Sequence, residues 1–161
     1  MGMQYDVKST YASSSGIMVP SRTRLKGAAL SAAVSSSGTA TFLNEATISG
    51  TYTRATTTAT ITAVNHDLTV YDYVYLDFAA GGPTDGVYKV ATVTNANVFT
   101  VTVADSGNTS GDVTVYNDVL AQATVSTVSS TNLVIPGEGI LAQNGIRVVL
   151  TNSVTATIYY G

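Results

Sequence analysis

The feature that most limits what this chain can fold into is its last stretch, LVIPGEGILAQNGIRVVLTNSVTATIYYG, running from Leu133 to Gly161. Three short runs of strand-forming residues, Leu133–Ile135, Ile146–Leu150 and Val154–Tyr160, are separated by Pro136-Gly137-Glu138-Gly139 and Gln143-Asn144-Gly145. Gly and Asn tolerate the positive φ that tight turns demand, so these breaks read as turns. The final run puts Val154, Ala156, Ile158 and Tyr160 on one face and Thr155, Thr157 and Tyr159 on the other, the period of a half-buried strand. Such a strand needs a pairing partner earlier in the sequence, and we expect it near the N-terminus.

The beginning supplies candidates. A first strand is expected over Gln4–Lys8 and a second over Ile17–Val19, separated by the polar linker at Ser13-Ser14-Ser15-Gly16 and closed by Pro20, which has no donor for a sheet interior. Ser21–Gly27 read as a strand places Arg22, Arg24 and Lys26 on one face. Those cations form either a charged edge that discourages unwanted pairing or a docking face for an acidic partner. Ala28–Ser37 carries some helical flavour, but its serines and the flanking Gly27 and Gly38 argue for strand or loop.

The middle behaves as a separate unit. Thr51–Ala55, Thr58–Val64, Tyr73–Phe78, Gly86–Val93 and Val98–Ala104 are short strands with turn signals between them, the spacing of a small barrel or sandwich. Two similar stretches, Ser37–Glu45 and Ser110–Asp118, bracket it; they are either equivalent strands flanking an inserted module or a chance match among Thr-rich strands, and the first is expected. The fold expected is all-β: a discontinuous β-sandwich or jelly-roll-like base domain from residues 1–49 and 111–161, with a small β-barrel inserted over 50–110. Joining the distant halves is feasible because loop closure cost grows slowly with length. Charge shifts at the boundary. Residues 51–117 carry Asp67, Asp72, Asp77, Asp85, Asp105 and Asp112 against Arg54 and Lys89; the rest carries Asp6, Glu45, Asp118 and Glu138 against Lys8, Arg22, Arg24, Lys26 and Arg147.

Composition excludes several functions. Charged residues make up 11% of the 161 residues, against about 25% in an ordinary soluble domain. This suits either a Thr-rich β domain or a subunit whose surface is covered in an assembly. The net charge of −3 argues against nucleic-acid binding, which needs a basic footprint. With no cysteine there is no disulfide, thiolate nucleophile or cysteine metal site. No apolar run reaches membrane-spanning length, the N-terminus lacks a signal-peptide core, and Asp6 breaks the myristoylation pattern after Gly2.

Catalytic patterns are equally thin. His66, the single histidine, is followed by Asp67 in a turn, with no nucleophile elbow to complete a triad. One histidine and scattered aspartates give no metal-ligand spacing. Gly137–Ala142 matches a dinucleotide fingerprint in letters alone, since no helix follows. Asp72 and Asp77 are of the type used in glycoside hydrolysis, but nothing sets them across a cleft. Tyr71, Tyr73 and Tyr75 share a strand face if the strand is regular. They serve either as an outward contact for sugar rings or a protein partner, or as bridges between core and surface. No catalytic residue, cofactor or metal is expected.

Two patterns point to families. The base, with YDVKS and RLKG near the start and IPGEGILAQNGIRVVL and ATIYYG at the end, resembles small structural proteins of tailed bacteriophages, especially those of marine cyanobacteria. The middle, TATITAVNHDLTVYDYVYLDFAAGGPTDGVYKVATVTNANVFTVT, is similar to a compact β-barrel repeat of phage structural proteins and to a half-domain of ubiquitin-activating enzymes. That repeat usually has glycine where Asp67 and Tyr71 stand here. The resemblance implies a virion protein assembled in the host cytoplasm. The expected role is capsid decoration, in which the base, through Arg22, Arg24 and Lys26, binds the major capsid protein or another virion protein while the module projects outward. A homotrimer is expected from capsid symmetry. The alternatives are a tail-associated adhesin or fibre-attachment protein touching host glycan through the tyrosines and, further off, a glycan depolymerase using His66 or Asp72.

Overall fold

The computed structural model of the chain describes residues 7–32 and 37–161. Every regular element in them is a strand. In chain order these are β1 (Lys8–Ala12), β2 (Gly16–Val19), β3 (Thr23–Ala32), β4 (Gly38–Asn44), β5 (Ile48–Ala55), β6 (Thr58–Ala63), β7 (Tyr73–Phe78), β8 (Gly86–Asn95), β9 (Val98–Thr102), β10 (Ser110–Tyr116), β11 (Val119–Val125), β12 (Ser130–Val134), β13 (Ile140–Ala142), β14 (Ile146–Leu150) and β15 (Val154–Tyr160). Residues 4–6 of the expected first strand, and 33–36 of the segment read as strand or loop, lie outside the described residues. The strands form two compact units, one from Met1–Glu45 with Leu120–Gly161 and one from Ala46–Val119.

The first unit is a two-sheet sandwich made from both ends of the chain. One sheet has the order β1-β15-β3-β12, with β13 also paired to β3, and the other β11-β4-β14-β2. All pairings are antiparallel: β15 runs Ile158 opposite Ala28 on one side and Thr10 on the other. Alternation decides what is buried. Leu25, Ala28, Leu30, Ala156 and Ile158 from the first sheet meet Phe42, Ile146 and Val148 from the second in one core. Gly27 does not interrupt β3; its missing side chain leaves room for the Leu133 carbonyl of β12, which a Cβ would meet at 2.6 Å.

At the end of β4 the sandwich is fastened by side chains. The Arg147 guanidinium donates to both Glu45 oxygens, at 2.7 and 3.0 Å, the forked geometry that adds direction as well as energy. Beside it the Asn144 N–H donates to Asn44 Oδ1 at 2.9 Å. Gly145 completes the turn with φ 113°, pressed against the Val19 carbonyl where a Cβ would collide.

The second unit is a closed barrel of order β10-β5-β6-β9-β8-β7, filled by Ile61, Val74, Leu76, Phe99, Val101 and Val113 among others. This differs from the sequence expectation in one respect. The strand at 110–116 belongs to the barrel, so it is not the base counterpart of Ser37–Glu45. Its residue Val113 pairs with Gly50 of β5 and with Phe78 of β7. Without it those two strands would each present an unsatisfied edge, and backbone groups left unpaired in a closing core are costly. Arg54 anchors the return into this strand: its side chain donates to the Gly107 carbonyl at 2.9 Å and pairs with Asp105.

Two predictions follow from this topology. A fragment spanning 46–119 is expected to give a cooperative β-type melt by circular dichroism, whereas 50–110, lacking the closing strand, is expected to be unfolded; a folded 50–110 fragment would show that closure by β10 is dispensable. Gly145→Ala forces a side chain into left-handed backbone and into the Val19 carbonyl, and is expected to lower stability of the chain by roughly 2 kcal/mol in urea denaturation.

Candidate functional site

The three cations singled out in the sequence are brought together at one end of the sandwich, but each is tied to residues flanking β13, Arg24 and Lys26 to the turn before it and Arg22 to Gln143 after it. Arg22, which precedes β3, donates from Nε to Gln143 Oε1 at 3.0 Å. Arg24 donates to the Gly139 carbonyl at 3.2 Å and Lys26 to the Glu138 carbonyl at 2.7 Å. The cause is local: Thr23–Leu25 pairs with Ile140–Ala142, so outward side chains here reach the incoming turn. Gly139, at φ 79°, sits on the Leu25 carbonyl. The bonds are to neutral acceptors, so the charge of the three side chains is held in place but not cancelled. Arg22 and Arg24 line a groove of about 430 Å³ with Lys8, Leu141 and Tyr160. Sequence reading did not single out Lys8; the signal was the strand pairing that sets it opposite Tyr160.

The tyrosine face is not formed as expected. Tyr73 and Tyr75 lie on the outer face of β7, opposite to Val74 and Leu76 in the barrel core, but Tyr75 is only 8% exposed. Its ring stacks edge-on against Tyr116, centroids 5.8 Å apart, because β10 pairs the two residues directly. Burial, followed by the Asp85 and Asp77 carboxylates, pushes the Tyr75 hydroxyl up to about 12. Tyr71 precedes the strand at φ 79°, with the Lys89 ammonium 4.6 Å above its ring, a cation–π arrangement. Tyr71 and Tyr73 are the exposed pair, at 69% and 58%.

His66 is a packing residue. It is 1% exposed and stacks edge-on against Phe99, 4.9 Å between centroids. The Leu68 N–H donates to Nδ1 at 3.0 Å, which leaves Nε2 as the protonated nitrogen facing the Asn95 carbonyl at 3.0 Å. Both ring nitrogens are thus occupied in holding a turn. Asp72 accepts from the Thr69 amide and hydroxyl at 2.7 and 2.9 Å, so it caps its own turn. Asp77 instead lines a cleft of about 350 Å³ with Asp112, Ser49, Phe78 and Thr114. Asp67 and Tyr71 adopt the left-handed φ of 54° and 79°, a conformation that glycine takes more readily. Gly137–Ala142 is a turn running into β13, without the helix that a dinucleotide fingerprint opens. Among the described residues no three of His, Asp and Glu converge as a metal site.

Compared with known proteins, the chain matches no family model, no curated protein and no solved structure.

Burial is the main cause that raises the Asp85 carboxyl above its ordinary value of 3.8; the bond from the Phe78 amide opposes the shift and the Asp77 charge adds to it. The folded chain therefore holds this proton more tightly than the unfolded chain. Ionisation costs stability as pH rises through the unfolded carboxylate range, and the cost is complete above the folded value. Asp85→Asn keeps an acceptor for the Phe78 amide, which Asp85 now receives at 2.7 Å. The variant is expected to exceed wild type in stability near neutral pH and to match it near pH 3, where Asp85 is protonated. Urea titrations at both pH values check this, and a variant less stable at neutral pH would contradict it.

Proposed function

We propose that the protein is a structural subunit of a tailed-phage virion, acting as a head decoration protein that seats its sandwich on the capsid lattice and displays the barrel. The observation that carries this reading is the outer face of the β1-β15-β3-β12 sheet. Its registered rows are Tyr11-Thr157-Ala29-Asn132 and Ser9-Tyr159-Gly27-Val134, followed by Thr155-Ser31-Ser130. No residue in these rows carries a formal charge. Tyr11 and Val134 are 62% and 78% exposed. An uncharged face with exposed tyrosine and valine is a poor water-facing surface and a good protein-facing one. Arg22, Arg24 and Lys26 stand at one end of the same sheet and would supply the polar rim that fixes register on a partner.

The resemblance to phage structural proteins supplies the kind of partner, a capsid protein or another virion protein. A homo-oligomer, with a trimer as the simplest match to lattice symmetry, accompanies the reading. The second reading is a tail-associated adhesin, favoured by the exposed Tyr71 and Tyr73 beside Lys89, since aromatic rings with a neighbouring polar group suit sugar faces.

Quantitative mass spectrometry of purified particles tests the assignment. A decoration subunit is expected at a copy number comparable to that of the capsid protein, with label on the head. A few copies per particle with label on the tail would replace it with the adhesin reading, and absence from particles would remove both.

A further inference from the structure

The two units carry opposite charge, and each has a cleft lined by side chains of its own sign. The barrel unit holds seven aspartates, Asp67, Asp72, Asp77, Asp85, Asp105, Asp112 and Asp118, against Arg54 and Lys89, a net charge of −5. The sandwich unit holds Asp6, Glu45 and Glu138 against Lys8, Arg22, Arg24, Lys26 and Arg147, a net charge of +2, and the two together give the −3 of the chain. On the sandwich, Lys8, Arg22 and Arg24 converge on the groove of about 430 Å³. Arg22 bonds a side-chain amide and Arg24 a backbone carbonyl, and none of the three forms an ion pair among the described residues of its unit. On the barrel, Asp77 and Asp112 line the cleft of about 350 Å³, with no cation in its wall. They lie near each other because β10 sets Thr114 opposite Asp77, two residues from Asp112. Asp85 lies close enough for the Asp77 charge to disfavour its ionisation.

We propose that the basic groove of one copy takes the acidic cleft of a second copy, so that the protein self-associates head to tail through Lys8, Arg22 and Arg24 on one side and Asp77 and Asp112 on the other. The arrangement relieves like-charge repulsion on both surfaces with one contact. The interface joins two different patches, so it is heterologous; it closes into a ring when the rotation between copies allows and otherwise extends as a filament. In this contact Arg22 and Arg24 are engaged by the second copy, so of the three cations placed at the rim of the capsid-facing sheet only Lys26 remains for a capsid partner.

The test is sedimentation equilibrium of the full-length chain over a range of concentrations and salt. Wild type is expected to associate in a concentration-dependent way. On raising ionic strength from 0.1 to 1 M the Debye length falls from about 10 to about 3 Å, and association is expected to weaken on the order of tenfold. Two charge-reversed variants, Asp77→Lys with Asp112→Lys and Lys8→Glu with Arg22→Glu, are each expected to be monomeric. The substituted side chains are at the surface, and circular dichroism verifies that both variants fold. Mixed in equal amounts, the two variants are expected to restore a hetero-association, because the reversed acidic cleft then meets a reversed basic groove. A wild type that is monomeric at all concentrations, or variants that associate like wild type, would overturn the proposal. So would folded variants that fail to associate on mixing. The particle copy number stands or falls on virions alone, so failure of one result is distinguishable from failure of the other.

Discussion

The rest of the sandwich depends on the ladder between β3 and β15. It runs from Val154 opposite Ala32 to Tyr160 opposite Leu25 and joins residues more than 120 positions apart in sequence. Both strands are interior to their sheet, so each also pairs on its other side, β15 with β1 and β3 with β12 and β13. A strand in that position contributes one face to the core and both edges to backbone bonding. Losing it exposes Leu30, Ala156 and Ile158 together with the unpaired amides of its neighbours. Local preference cannot hold such a ladder, because all of its contacts are distant in sequence. It forms because Leu25, Leu30 and Ile158 are buried at 0–1% exposure and worth roughly 1.5–3 kcal/mol each in transfer from water.

Much of this fold was legible in the residues. Alternation in Val154–Tyr160 and the turn letters of Gln143-Asn144-Gly145 located β14 and β15 closely, since period-two burial and positive φ leave direct marks on sequence. The assignment of 110–116 was not legible in the same way. Ser110–Tyr116 and Gly38–Asn44 have nearly the same alternation, and what separates them is which open edge each meets, a property of other strands. β10 is taken by the barrel because β5, paired to β6, and β7, paired to β8, each keep one open edge until it arrives. The tyrosines show the same limit. Period two placed Tyr73 and Tyr75 on one face correctly, but Tyr116, 41 positions later, decides that one is covered and the other is open. Arg22, Arg24 and Lys26 were visible as a cluster, whereas their hydrogen bonds to 138–143 depended on the pairing of β13.

The turns at Asp67 and Tyr71 show how tertiary contacts override local cost. Left-handed backbone is disfavoured for a residue with a side chain by about 1–2 kcal/mol, and Tyr71 has no short polar group to bond its own backbone. The conformation persists because the surroundings fix it. His66 ties the turn through the Leu68 amide and the Asn95 carbonyl, Asn117 donates to the His66 carbonyl at 3.0 Å, and the Tyr71 amide donates to the Val90 carbonyl at 3.0 Å. A buried histidine with its ring nitrogens engaged thus holds the left-handed Asp67, and the ladder to Val90 holds Tyr71.

The two units differ in how they dispose of their strand edges, and this bears on which of them needs a partner. A closed barrel has no edge to protect; β10 completes the ring and the unit is self-sufficient in backbone bonding. The sandwich leaves β1 and β12 at the margins of one sheet and β11 and β2 at the margins of the other. Isolated proteins guard such margins with charge, proline or bulges. Here β12 (STNLV), β11 (VLAQATV) and β2 (GIMV) contain no charged residue and no proline, β1 has Lys8 alone, and β2 has an irregular register against β14 at Met18. Together with the uncharged rows through Tyr11 and Tyr159, these margins leave the sandwich with more uncharged sheet edge and face than the closed barrel has. The barrel, acidic and closed, has no open backbone edge, so any partner it takes must be recognised by its side chains.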